Sequence, residues 1–132
     1  MDSAVPGPTP PAQTIDDVVA RMQSIDAALP AADGVACFNR MYLEVTSGVR
    51  LRVGQGFFGD PAFVSRLDVV FANLYFDAVD ALSGPPAGLP VAWQPLLAAR
   101  GRSGIEPIQF ALAGMNAHIN HDLPLAVVAT CT

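Results

Sequence analysis

"DPAFVSRLDVVFANLYFDAVDAL", residues 60–82, decides the fold class. Asp60 is a helix-capping residue, and Pro61 stands in the first turn, where a missing N–H costs nothing. Phe63, Val64, Leu67, Val70, Phe71, Leu74 and Tyr75 recur at helical spacing and form a wide apolar arc. Arg66, Asn73, Asp77 and Asp80 fall on or near the other side. Asp68 is the exception. Helical rotation puts it at the edge of the arc, in line with Ala72, Tyr75 and Val79.

The same periodicity continues outward. "TIDDVVARMQSIDAAL", residues 14–29, has Thr14 as a cap and Asp17 three residues later, a capping-box pattern. Ile15, Val18, Val19, Met22, Ile25 and Leu29 make its apolar stripe, and Pro30 ends it. "DGVACFNRMYLEVTSGVRLRV", residues 33–53, is read as a second helix capped by Asp33. Phe38, Met41, Tyr42, Val45 and Val49 share a face, and Glu44 lies opposite. "GQGFFGD" breaks the pattern. Its GxG follows no buried strand, so it is a poor phosphate loop. "SGPPAGLP" is a loop, and "VAWQPLLAARGR" holds a short helix with Trp93 at or before its first turn. Residues 1–13 are Pro-rich with little to bury, and are expected to be a disordered tail. Residues 14–132 then form one all-α bundle of four or five helices.

Bulk properties narrow the function classes. The chain has 132 residues, 52% of them hydrophobic, enough for one domain with a real core. Its net charge of −5 lacks the basic footprint that nucleic acid requires, and disfavours an anionic membrane surface. No apolar stretch reaches membrane-span length, and the N-terminus lacks the pattern of a signal peptide. A soluble cytoplasmic protein is the expectation. Cys37 and Cys131 form no CxxC pair and read as buried thiols.

The chemistry gathers near the end, in "AGMNAHINHDLP", residues 113–124. Wound as a helix, Ile108, Leu112, Met115, Ile119 and Leu123 form a narrow stripe, which reads as a core seam. His118, His121 and Asp122 cluster on roughly the opposite side, with Ala111 and Gly114 one turn before. Gln109, Asn116 and Asn120 form a separate amide stripe. Only Glu106 and Asp122 carry formal charge after residue 102, so this helix is expected to be central. Pro124 withholds a donor from Asn120 and is expected to kink or stop the helix.

Three chemistries fit the cluster. His118 and Asp122 at i, i+4 suit a divalent metal such as zinc or iron, with His121 as ligand or general base and Asp68 in support. Alternatively, Asp122 orients a histidine for metal-free acid–base work on a small molecule. Or the polar groups simply join helices by hydrogen bonds. Asn116, Asn120, Asp68, Tyr75 and Trp93 are the candidates for a ligand-binding or structural network, and Tyr42 is a core aromatic whose polar tip can face it.

The stretches "CFNRMYLEVT", "FFGDPAFVSRLDVVFANLYFDAV" and "AGMNAHINHDLPLAVV" resemble the family known as domain of unknown function 5995, over about residues 14–132. The Asn116–Pro124 motif is the most specific part. The resemblance implies that the His121 position varies more freely than Asn116, His118, Asn120 and Asp122. It also implies a longer domain. The apolar ending "LPLAVVATCT" agrees: either the bundle clamps it, or further helices cover it, and exposed apolar surface favours self-association. The leading expectation is a polar His/Asp pocket, with metal-assisted hydrolysis as its chemistry. The runner-up is a non-catalytic interaction or small-ligand module, in which the motif is a hydrogen-bond network.

Overall fold

The computed structural model describes residues 10–83 and 90–131. Among the described residues six helices run in order: α1 Ile15–Ala28, α2 Gly34–Gly54, α3 Pro61–Asp80, α4 Gln94–Ala99, α5 Pro107–Ala117 and α6 Leu123–Cys131. A π turn, His118–Asp122, joins α5 to α6 without a break, so the two make one rod. Short 3-10 turns occupy Ala81–Ser83 and Val91–Trp93. No strand occurs among the described residues, and the fold is an all-α bundle. No helix is long and apolar enough to cross a membrane among these residues.

Local chemistry sets the helix ends. Thr14 Oγ1 accepts from the Asp17 N–H while Asp17 accepts from the Thr14 N–H, so the expected capping box forms. Asp33 accepts from the Val35 N–H, and Asp60 from the Phe63 N–H. Each cap satisfies one of the donors that a helix start leaves open. The α1 stripe is buried along its whole length, from Ile15 to Leu29.

The other helices turn slightly away from their expected faces. On α2 the buried line runs through Phe38, Asn39, Tyr42 and Thr46, whereas Val45 is exposed. On α3 it runs through Ala72, Tyr75, Phe76 and Val79, and the expected arc from Phe63 to Leu74 is only half-buried. Hydrophobicity alone weighs every apolar residue equally; packing selects the residues that meet neighbouring helices, chiefly α1 and α5 for α2 and α6 for α3.

The largest difference concerns the α5–α6 rod. It reaches the middle of the bundle with one face only: Phe110, Ala111, Gly114, Ala117, His118, Asp122 and Ala126. The stripe read as a core seam points outward, with Ile108 63% and Leu112 56% exposed, and Met115 and Ile119 also exposed. The inward face is lined with small residues because α2 comes very close. A Cβ on Gly114 would lie 2.2 Å from the Phe38 ring. The small residues therefore serve close packing rather than open space for a ligand. The apolar ending is not clamped inside, since Leu125, Val127 and Val128 are exposed.

Smaller expectations resolve as follows. Residues 1–9 and most of the "SGPPAGLP" loop lie outside the described residues. Residues 10–13, assigned to a disordered tail, include a docked segment: Ala12 donates to Asn73 Oδ1 and accepts from Asn73 Nδ2, both at 3.0 Å. Cys37 is buried, but Cys131 is exposed.

Candidate functional site

The π turn is the backbone feature that builds the site. The Leu123 N–H donates to the His118 carbonyl, five residues back. Pro124 has no N–H, and its ring crowds the carbonyl four residues before it. One extra residue in the turn absorbs that conflict, so the helix widens and continues where a kink or stop was expected.

Widening turns Asp122 inward, where it is 2% exposed. Its Oδ2 meets His118 Nδ1 at 2.8 Å and accepts from Trp93 Nε1 at 3.0 Å. Its Oδ1 meets His121 Nδ1 at 2.7 Å. Burial alone raises a carboxyl pKa, but here the bonds from His118, His121 and Trp93 outweigh it and hold Asp122 below the ordinary carboxylate range. An ionised Asp122 only accepts, so both histidines present Nδ1–H to it.

His118 is 3% exposed and sits in a box of rings. Phe71 stacks on it at 3.6 Å between centroids, with 4° between planes. Tyr42 lies at 4.7 Å, Trp93 at 5.7 Å, and Phe38 and Tyr75 at 6.1 Å. Burial lowers the His118 pKa against the pull of Asp122, so the ring is neutral. With its proton on Nδ1, its Nε2 carries a lone pair. That nitrogen is buried and has no hydrogen-bond partner.

The other predicted residues divide clearly. Trp93 belongs to the Asp122 hub. His121 joins it from the rim, with its side chain 44% exposed. Tyr75 belongs to a different network: its Oη donates to Asn39 Oδ1 at 2.9 Å, and Asn39 Nδ2 donates to the Met22 carbonyl at 2.8 Å. Asn116 and Asn120 pair with each other at 2.6 Å and are exposed, so the amide stripe is a surface feature. Asp68 makes no hydrogen bond to the hub. It is half-buried, its Oδ2 has no partner, and burial pushes its pKa up to about 6.

Among the described residues, no group of three or more His, Cys, Asp or Glu side chains is gathered to hold a metal. The geometry gives the reason. Both histidines turn Nδ1 onto Asp122 and fill its oxygens, instead of converging with it on a shared point. Two buried polar residues escaped notice in the sequence, Asn39 and Thr46, each 0% exposed. Their signal was phase: positions 39 and 46 share one helix face with Phe38 and Tyr42.

The family model described as "Family of unknown function (DUF5995)" matches residues 15–132, nearly the whole chain. No curated protein and no solved structure matches it.

Proposed function

From its membership of this family of unknown function, to which the chain belongs, and from the geometry above, we propose a non-catalytic interaction module. Its α5–α6 face pairs with a second copy of the chain, and the His/Asp motif is the hydrogen-bond hub that holds that face in place. One observation carries this reading: Ile108, Leu112, Met115 and Ile119 form an exposed apolar ridge. The rod's one carboxylate, Asp122, is turned inward, so no formal charge from the rod stands on this face.

A contiguous apolar ridge of this kind marks an association surface. Its lack of charge selects the occupant. A partner that brings charge to the ridge loses hydration without gaining a counter-ion. A second copy brings an identical uncharged ridge, as an isologous interface requires. Beside the ridge runs a groove lined by Met41, Leu43, Val45, Pro107 and Ile108, with Arg40 and Glu44 among its other residues. Ridge into groove is how helices pack.

Asp122 supports the same reading and weakens the hydrolytic one. Three donors already use its two oxygens. Stoichiometric zinc or iron in untagged protein would reinstate metal-assisted hydrolysis.

Sedimentation equilibrium tests self-association. Wild-type protein is expected to show a concentration-dependent dimer, and Leu112→Glu a monomer with unchanged circular dichroism. A wild type that stays monomeric up to its solubility limit would sink the reading.

A further inference from the structure

Four buried polar atoms share one feature: Tyr42 Oη, Thr46 Oγ1, Asp68 Oδ2 and His118 Nε2 all lack a hydrogen-bond partner. They come from α2, α3 and the π turn, yet they belong together. The rings of Tyr42 and His118 lie 4.7 Å apart. Thr46 is one helical turn beyond Tyr42 on the same buried face. Burial raises the pKa of the Tyr42 hydroxyl, and the charges of Asp68 and Asp122 push it the same way. Phe71, one turn after Asp68, is the ring stacked on His118.

Orphaned buried polar groups are uncommon in folded proteins, and each one destabilises the fold. Four in one neighbourhood point to an occupant. Their chemistry limits what it is. His118 Nε2 offers a lone pair, because Nδ1–H is committed to Asp122. Asp68 offers a carboxylate. The two hydroxyls adapt to either role. The set is rich in acceptors and excludes anions.

Charge separates the remaining occupants. Among the described residues, no basic side chain forms an ion pair with Asp68. A buried carboxylate without a counter-charge is unfavourable, and water does not neutralise it. An ammonium group brings the charge and several N–H donors together. Asp68 is half-buried, so it connects the site to solvent.

We propose that Tyr42, Thr46, Asp68 and His118 form an internal binding site for a small ammonium group, either the free ion or the head of a primary amine. Asp68 provides the counter-charge, and His118 Nε2 accepts one N–H. The Asp122 hub fixes the tautomer that makes this acceptance available.

The test is thermal unfolding at pH 7.5 in amine-free buffer, with methylammonium, tetramethylammonium or sodium chloride added at equal ionic strength. Saturating methylammonium is expected to raise the Tm by about 3–5 °C over sodium. Tetramethylammonium, which has no N–H, is expected to match sodium. The His118 Nε2 resonance in 15N spectra should move with methylammonium alone. Asp68→Asn should abolish the response while the helical circular dichroism stays unchanged, and Thr46→Val should weaken it. Equal responses to all three salts would overturn the proposal. So would a methylammonium response that survives in Asp68→Asn.

Discussion

Asp122 and Asp68 are both carboxylates drawn into the bundle, and their surroundings push them in opposite directions. Asp122 has three donors and a lowered pKa. Its contribution to stability is present above the ordinary carboxylate range, and is lost as pH falls through its folded pKa. Asp68 has burial without donors, and its pKa rises to about 6. Its contribution is fully present below the ordinary value near 3.8, and is lost as pH rises through about 6. A Tm-versus-pH series on two variants separates these effects. Asp122→Asn is expected to lose about 2–4 kcal/mol at pH 7, because it strips acceptors from buried donors. Asp68→Asn is expected to gain roughly 1–2 kcal/mol at pH 8, after allowance for its partial exposure, and nothing near pH 4. An Asp68→Asn curve parallel to wild type from pH 4 to 8 would show that its carboxyl titrates as if in water.

At the scale of the element, the α5–α6 rod has two unlike faces. Its inner face is small and polar because α2 approaches so closely that the Phe38 ring lies against Gly114. Phe38 cannot retreat easily: Tyr75 stands edge-on at 5.2 Å and Trp93 at 5.4 Å. A methyl group at position 114 must therefore push the helices apart. Gly114→Ala is expected to cost about 1–3 kcal/mol in urea unfolding, despite the better helix propensity of alanine. A stabilised Gly114→Ala would show that the contact between α2 and α5 is looser than described. The π turn follows the same logic: Pro124 forces an irregularity, and the Asp122 hub gives it a definite shape.

At the scale of the whole molecule, the chain carries a net charge of −5, while its most apolar ridge carries none. Association of two copies therefore brings together like-charged bodies through a ridge that carries no charge of its own. Added salt screens the repulsion and leaves the contact untouched, because the Debye length falls to about 3 Å at 1 M. The dimer is expected to tighten as sodium chloride rises, measured by sedimentation. Weakening with salt would mean that ion pairs, not the apolar ridge, hold the copies together.

Sequence by itself determined the helices, their caps and the location of the polar hub. These follow from local rules: Thr14 and Asp17 lie three residues apart wherever the chain goes, and His118 and Asp122 share a helix face in any fold. It also carried the Asp68 anomaly, as a charge in line with Ala72, Tyr75 and Val79. Only the tertiary structure decided which side of the last rod faces in. Read alone, that helix has an apolar stripe and a polar one, and hydrophobicity assigns the apolar stripe to the core. Close approach of Phe38 to Gly114, together with the hydrogen bond that Asp122 accepts from Trp93, reversed the assignment. Trp93 is 29 residues from Asp122, and that separation is why no local pattern announced the bond. Within "AGMNAHINHDLP", Gly114, His118 and Asp122 thus mark the interior of the bundle, while Met115, Asn116, Ile119 and Asn120 mark the exterior.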